Sequence, residues 1–102
     1  MTVVAEVKVI PVGVGVSTSP LVAEAVRAIM EAGLRARPTP MCTVFEARSA
    51  EEALRAALRA HEAVLRAGAV RVLTTVTIDE RRDVEHTMDS KLASLEAKLK
   101  PR

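Results

Sequence analysis

The chain has 102 residues, 15 Lys and Arg against 13 Asp and Glu, one Cys, one Phe and neither Trp nor Tyr. That length suits one domain around one core and leaves little room for a deep enzyme cleft within a subunit. The near-balanced charge excludes a basic stripe for nucleic acid, lone Cys42 excludes an internal disulfide, and no apolar run approaches the roughly 20 residues of a bilayer span.

The N-terminus alternates and carries Glu6 and Lys8, unlike a secretory leader, so a cytoplasmic location is expected. Along residues 3–10, Val3, Ala5, Val7 and Val9 share one side while Glu6 and Lys8 share the other. This period of two marks a strand with one face on the core, and Pro11 is expected to end its pairing. A loop with Gly13 and Gly15 leads to Ser19 and Pro20, a good N-cap followed by a good first helical residue. Val22, Ala25, Val26, Ile29 and Met30 form the apolar stripe of this first helix, and Gly33 supplies the left-handed residue that stops it.

Residues 34–37 form a short strand candidate with Arg35 and Arg37 on one face. Pro38-Thr39-Pro40 is a stiff extended or turning connector, because proline fixes φ and restricts the residue before it. Residues 41–47 read as the next strand, with Met41, Thr43 and Phe45 on one face and Cys42, Val44 and Glu46 on the other. The pattern does not say which face is core. Ser49 with Glu52 three residues on is a capping box for a second helix, whose apolar face is read as Leu54, Ala57, Leu58, His61, Val64 and Leu65, ending at Gly68. Residues 70–78 form the last long strand. Asp79-Glu80-Arg81-Arg82-Asp83 follows, then a short helix capped by Thr87 with a narrow seam of Met88, Leu92, Leu95 and Leu99.

The order β-α-β-β-α-β plus a C-terminal helix is an α+β, ferredoxin-like sandwich spanning residues 1–102: an antiparallel sheet with two helices on one face. Its other face would carry Glu6, Lys8, Arg71, Leu73, Thr75 and Thr77, a mixture that sheet-to-sheet packing between subunits would resolve.

Chemistry-bearing residues are sparse. The Gly13-Val14-Gly15 loop enters a helix N-terminus but lacks the spacing of a phosphate loop or a dinucleotide fingerprint, so its glycines are read as turn formers. His61 lies on an apolar stripe and His86 beside Glu85. Neither has partners at a metal-ligand spacing, and no Ser or Cys sits in a nucleophile signature. No catalytic residue, metal or cofactor is therefore expected. Cys42 is read as a small buried residue, and the charged run as a turn whose ion pairs fix a subunit contact.

Several segments occur together in order: Pro11-Val12-Gly13-Val14-Gly15 with Ser17, Val22-Ala23-Glu24-Ala25-Val26, Gly33-Leu34, Thr39-Pro40-Met41-Cys42-Thr43, His61-Glu62, Arg71-Val72 and Ile78 through Asp83. In these the chain resembles the MTH1187/YkoF-like superfamily of small thiamine-binding proteins, of the UPF0045/DUF77 type, over about residues 2–99. The Thr-Pro-Met and Asp-x-Arg-Arg-Asp elements are the specific ones. The resemblance implies a ferredoxin-like homotetramer built as a dimer of dimers, binding thiamine or its hydroxymethylpyrimidine moiety without catalysis. Two positions depart from the family pattern: Cys42 replaces the usual Gly, adding a side chain close to the expected pocket, and Glu80 replaces the usual Asp.

On the motif, residue chemistry and the expected proximity of the first and third strands, the ligand set is Ser17, Thr39, Met41, Thr43, Phe45 and Glu46. Thr39, Met41, Thr43 and Phe45 would shape the pocket, Ser17 would add a loop hydroxyl, and Glu46 would face the aminopyrimidine. Phe45 and Glu46 point to opposite faces of one strand, which weighs against both serving one site. The alternative is a structural or regulatory oligomerisation module without a thiamine ligand, with the charged run as its clamp. An enzyme would have only His61 as an internal base.

Overall fold

The computed structural model describes residues 1–101. The elements are β1 (Val3–Val12), α1 (Ser19–Glu31), β2 (Ala36–Pro38), β3 (Thr43–Ala47), α2 (Ala50–Arg66), β4 (Arg71–Glu80) and α3 (Met88–Lys98). The strands form one antiparallel sheet in the order β2-β3-β1-β4, the ferredoxin-like arrangement. Helices α1 and α2 lie side by side on one face.

The alternation in β1 has the expected consequence. Val3, Ala5, Val7 and Val9 are buried beneath the helices with Phe45, Ala47, Ala25 and Ile29. Phe45, the one aromatic residue, is fully buried. Burying such a side chain contributes roughly 1.5–3 kcal/mol.

Contrary to expectation, Pro11 does not end the strand: β1 stays paired with β4 through Val12↔Arg71. It stops pairing with β3 at Val7↔Thr43. Beyond Val7 one flank of β1 is open, and a residue without an N–H costs nothing when it faces that side.

The second difference lies in α2. The side that meets the sheet is an alanine stripe, Ala53, Ala56, Ala57 and Ala60, continued by Val64. Leu54, Leu58 and Leu65, read as core, are 52%, 55% and 40% exposed. Small residues let the helix lie close to the sheet, so the stripe with the shorter side chains makes the buried contact. His61 on the same helix reaches the sheet, its Nδ1 lying 2.6 Å from the Thr74 hydroxyl.

Helix ends follow local chemistry with small shifts. The N-cap of α1 is Thr18 rather than Ser19, and its hydroxyl makes no capping bond. Ser49 caps α2 by accepting from the Glu52 N–H at 3.1 Å. The Glu52 carboxylate, however, accepts from the Arg48 N–H at 3.0 Å instead of closing the box onto Ser49. Thr87 caps α3 in a full capping box with Ser90. Gly33 holds φ of 80°, where an L side chain would be strained.

Helix α3 begins on the outer sheet face. Met88 is buried there, its N–H donating to Glu46 Oε2 at 2.7 Å. Asp89 accepts from both Arg35 and Arg37, and Lys91 pairs with Asp79. Leu92, Leu95 and Leu99, the rest of the seam, are exposed. Among the described residues, no helix is long and apolar enough to cross a membrane.

Candidate functional site

The short connector between β2 and β3 builds the site. Thr39 N–H donates to the Cys42 carbonyl at 2.8 Å. The Thr39 hydroxyl donates to the same carbonyl at 2.9 Å and accepts from the N–H groups of Met41 and Cys42 at 3.3 and 3.1 Å. One threonine side chain thus satisfies the turn's backbone, as Ser and Thr commonly do in tight turns. The two prolines stiffen the same turn, and Met41 projects from its tip, 70% exposed.

This turn, the N-terminus of α1 and the open flank of β1 enclose a cleft of about 400 Å³. Its walls are apolar, from Val7, Val9, Val22 and Met41, and its polar groups include the hydroxyls of Thr18, Ser19, Thr39 and Thr43. Such a mixture, apolar walls with a few placed hydroxyls, is the usual composition of a small-molecule site, and the volume lies at the small end of that class. Among the described residues, Lys8 and Cys42 are the titratable groups that line it.

Of the residues nominated from sequence, Thr39, Met41 and Thr43 line the cleft, Thr43 from the buried side of β3. Phe45 lies two residues further along the same face, inside the core and away from the cleft lining. Glu46 occupies the opposite face, where its carboxylate anchors α3. Ser17 is exposed in the preceding loop, outside the lining. Ser19 was legible only as a helix cap, and Thr18 carried no signal of its own; their place in the cleft follows from α1 pointing its first turn at the β2–β3 connector.

Cys42 faces the outer side of the sheet at the cleft rim. Its thiol donates to Glu6 Oε2 at 3.2 Å and lies 3.6 Å from the Thr39 hydroxyl. Burial pushes this thiol's pKa up, and Glu6 adds to the rise against the opposing effect of Thr39. A raised pKa favours the protonated thiol, the form that donates to Glu6. Among the described residues, no group of three or more His, Cys, Asp or Glu is arranged to hold a metal ion.

The charged run lies at the opposite end of β1. Arg81 pairs with Asp83 and Arg82 with Glu80. The Arg81 guanidinium holds the Asp83 carboxyl down at about 2.

Comparison with known proteins places this architecture. Residues 5–96 match the family model of the thiamine-binding protein. A UPF0045 protein of Methanothermobacter thermautotrophicus is 41% identical over 98 residues, covering 95% of this chain and 99% of its own. The crystal structure of hypothetical protein MJ1052 from Methanocaldococcus jannaschii superposes with a TM-score of 0.86 at 38% identity, covering 93% of this chain and 96% of that one. A Thermotoga maritima structure, provisionally placed in thiamine biosynthesis or salvage, shares the fold at a TM-score of 0.79 and 19% identity, covering 93% and 99%. The chain belongs to the thiamine-binding protein family.

Proposed function

We propose that this protein binds thiamine or its hydroxymethylpyrimidine moiety in the cleft between β1, the α1 N-terminus and the β2–β3 turn, and that it does so without transforming the ligand. The observation that carries this reading is the cleft itself: a space of about 400 Å³ with apolar walls and convergent hydroxyls, framed by the Thr39-Pro40-Met41 turn. The family's name and the description of the Thermotoga maritima structure support the ligand class. In this reading Thr39, Met41 and Thr43 contact the ligand, as do Thr18 and Ser19. Ser17 borders the mouth, Phe45 supports the floor from within the core, and Glu46 acts at a distance by fixing α3. Among the described residues, neither a carboxylate nor an imidazole lines the cleft, which favours binding over acid–base chemistry.

The proposal includes assembly as a homotetramer, a dimer of dimers, in the cytoplasm. Ile10 and Leu73 on the outer sheet face, Leu92 and Leu95 on α3, and Leu54 and Leu58 on α2 are exposed in one protomer. Apolar surface on several faces of so small a chain supports burial against further copies. Calorimetric titration with thiamine and with hydroxymethylpyrimidine, at a protein concentration where sedimentation shows the assembled state, tests the proposal. Saturable binding is expected, and no heat up to millimolar ligand would overturn it.

A further inference from the structure

The cleft poses a problem for an aminopyrimidine ligand. Among the described residues, its lining contains no carboxylate and no aromatic ring. Glu6 is engaged by the Cys42 thiol, and Glu46 by the Met88 N–H on the far side of the sheet. Lys8 can only donate and the Cys42 thiol is turned to Glu6, so the groups able to accept from an exocyclic amine are hydroxyls and backbone carbonyls.

The strand register shows which backbone groups face the cleft. Glu46 N–H donates to the Arg35 carbonyl at 3.0 Å, toward β2. In an antiparallel ladder successive residues direct their N–H and C=O to alternate sides. Thr43, Phe45 and Ala47 therefore direct theirs to β1, where their partners are Val7, Ala5 and Val3. The same alternation turns the N–H and C=O of Val9, and the C=O of Pro11, toward the flank that β3 has left. Lys8, Ile10 and Val12 turn theirs to β4, which stays paired along this stretch. Pro11 fits this assignment, since its missing N–H falls on the open side.

Val9 is only 7% exposed and lines the cleft. Among the described residues, no backbone or side-chain hydrogen bond meets its N–H or C=O. A strand edge left unpaired where a cleft opens beside it presents a free backbone donor and acceptor to whatever enters that cleft.

We infer that the open flank of β1 at Val9 is the recognition element for an amidine-type ring edge: Val9 N–H donates to the ring nitrogen and Val9 C=O accepts from the adjacent exocyclic amine. The two groups lie side by side on one residue, the arrangement an opposing strand residue satisfies in a hydrogen-bonded pair. A 4-aminopyrimidine offers an acceptor beside a donor in one plane and substitutes for that residue. The edge belongs equally to free hydroxymethylpyrimidine and to thiamine. This inference rests on the cleft being the ligand site and adds how the ring is read.

Two measurements test it on the full chain. In the first, 4-amino-5-hydroxymethyl-2-methylpyrimidine, its 4-deamino analogue and thiamine are titrated in parallel. Loss of the amine should weaken binding at least about tenfold, the effect of one buried hydrogen bond left unmade. Thiamine and the free pyrimidine binding within about tenfold of each other would locate recognition in the shared ring.

The second measurement follows amide exchange by NMR. Val9 should exchange fast in the free protein while Lys8 and Ile10 are protected, and saturating aminopyrimidine should slow Val9 at least about tenfold. Equal binding of the deamino analogue, or a Val9 amide unmoved at saturation, overturns the inference while leaving the cleft reading intact. Failure of every ligand to bind overturns both.

Discussion

Replacing Ala60 by Leu tests how α2 sits on the sheet. Ala60 has 0% exposure and belongs to the alanine stripe that meets the strands. The larger side chain has no space, so α2 must lift or neighbouring side chains must leave their rotamers, at a cost of about 1–3 kcal/mol. For a domain of this size each kcal/mol lowers Tm by about 4–8 °C, so the expected loss is roughly 5–20 °C. Leu58→Ala is the counterpart. It removes a larger side chain that is 55% exposed, and its effect on the folding of one protomer should stay within about 0.5 kcal/mol. Urea denaturation followed by far-UV circular dichroism over a series of protein concentrations separates protomer stability from assembly, because only the latter depends on concentration. The reasoning fails if Leu58→Ala has the larger concentration-independent cost.

Acid should loosen α3 before the core. Asp89 is held below the usual carboxylate range by Arg37 and then Arg35, Asp79 by Lys91, and Glu85 by the Thr2 N–H. Each folded pKa lies below its unfolded value, so the stabilisation is complete above about pH 5 and is lost as pH falls through the unfolded and then the lowered folded values. Amide exchange should show α3 losing protection in that window while β1 keeps its own; simultaneous loss would contradict the docking described. Thr39→Val should destabilise by about 1–2 kcal/mol in urea denaturation, since one hydroxyl serves three turn hydrogen bonds, whereas Thr39→Ser should be nearly neutral. An equal loss in both variants would remove the hydroxyl's role. Iodoacetamide at pH 8 should alkylate Cys42 more slowly than a free thiol, and Glu6→Gln should speed the reaction by removing the carboxylate that favours the proton. An unchanged rate would show that the thiol does not depend on Glu6.

The sheet and its helices were legible because their signals are local. Alternation from Val3 to Val9, the caps at Ser49 and Thr87, and the glycines at 33 and 68 each report on a few neighbouring residues. The buried side of α2 was not legible in the same way. A 3.6-residue period runs through both the alanine and the leucine stripes, and a hydrophobicity ranking favours leucine, whereas close approach to a sheet favours alanine.

The site was partly legible. Pro38, Thr39 and Pro40 announce a turn, and the side chains around that turn line the cleft. The rest depends on how far β3 accompanies β1. That length difference frees the Val9 backbone and brings Thr18 and Ser19 opposite Thr39, and it is a property of strand pairing, not of any local pattern. Phe45 and Glu46 share a strand with Thr43, but strand polarity sends one into the core and the other to α3.

The most direct test of the binding site is an NMR titration of isotopically labelled protein with hydroxymethylpyrimidine. The account predicts saturable shifts concentrated at Val7, Val9, Thr18, Ser19, Thr39, Met41 and Thr43, the residues that face the cleft. Shifts centred instead on Glu46, Met88 and Asp89 across the outer sheet face, or no shifts at millimolar ligand, would contradict it.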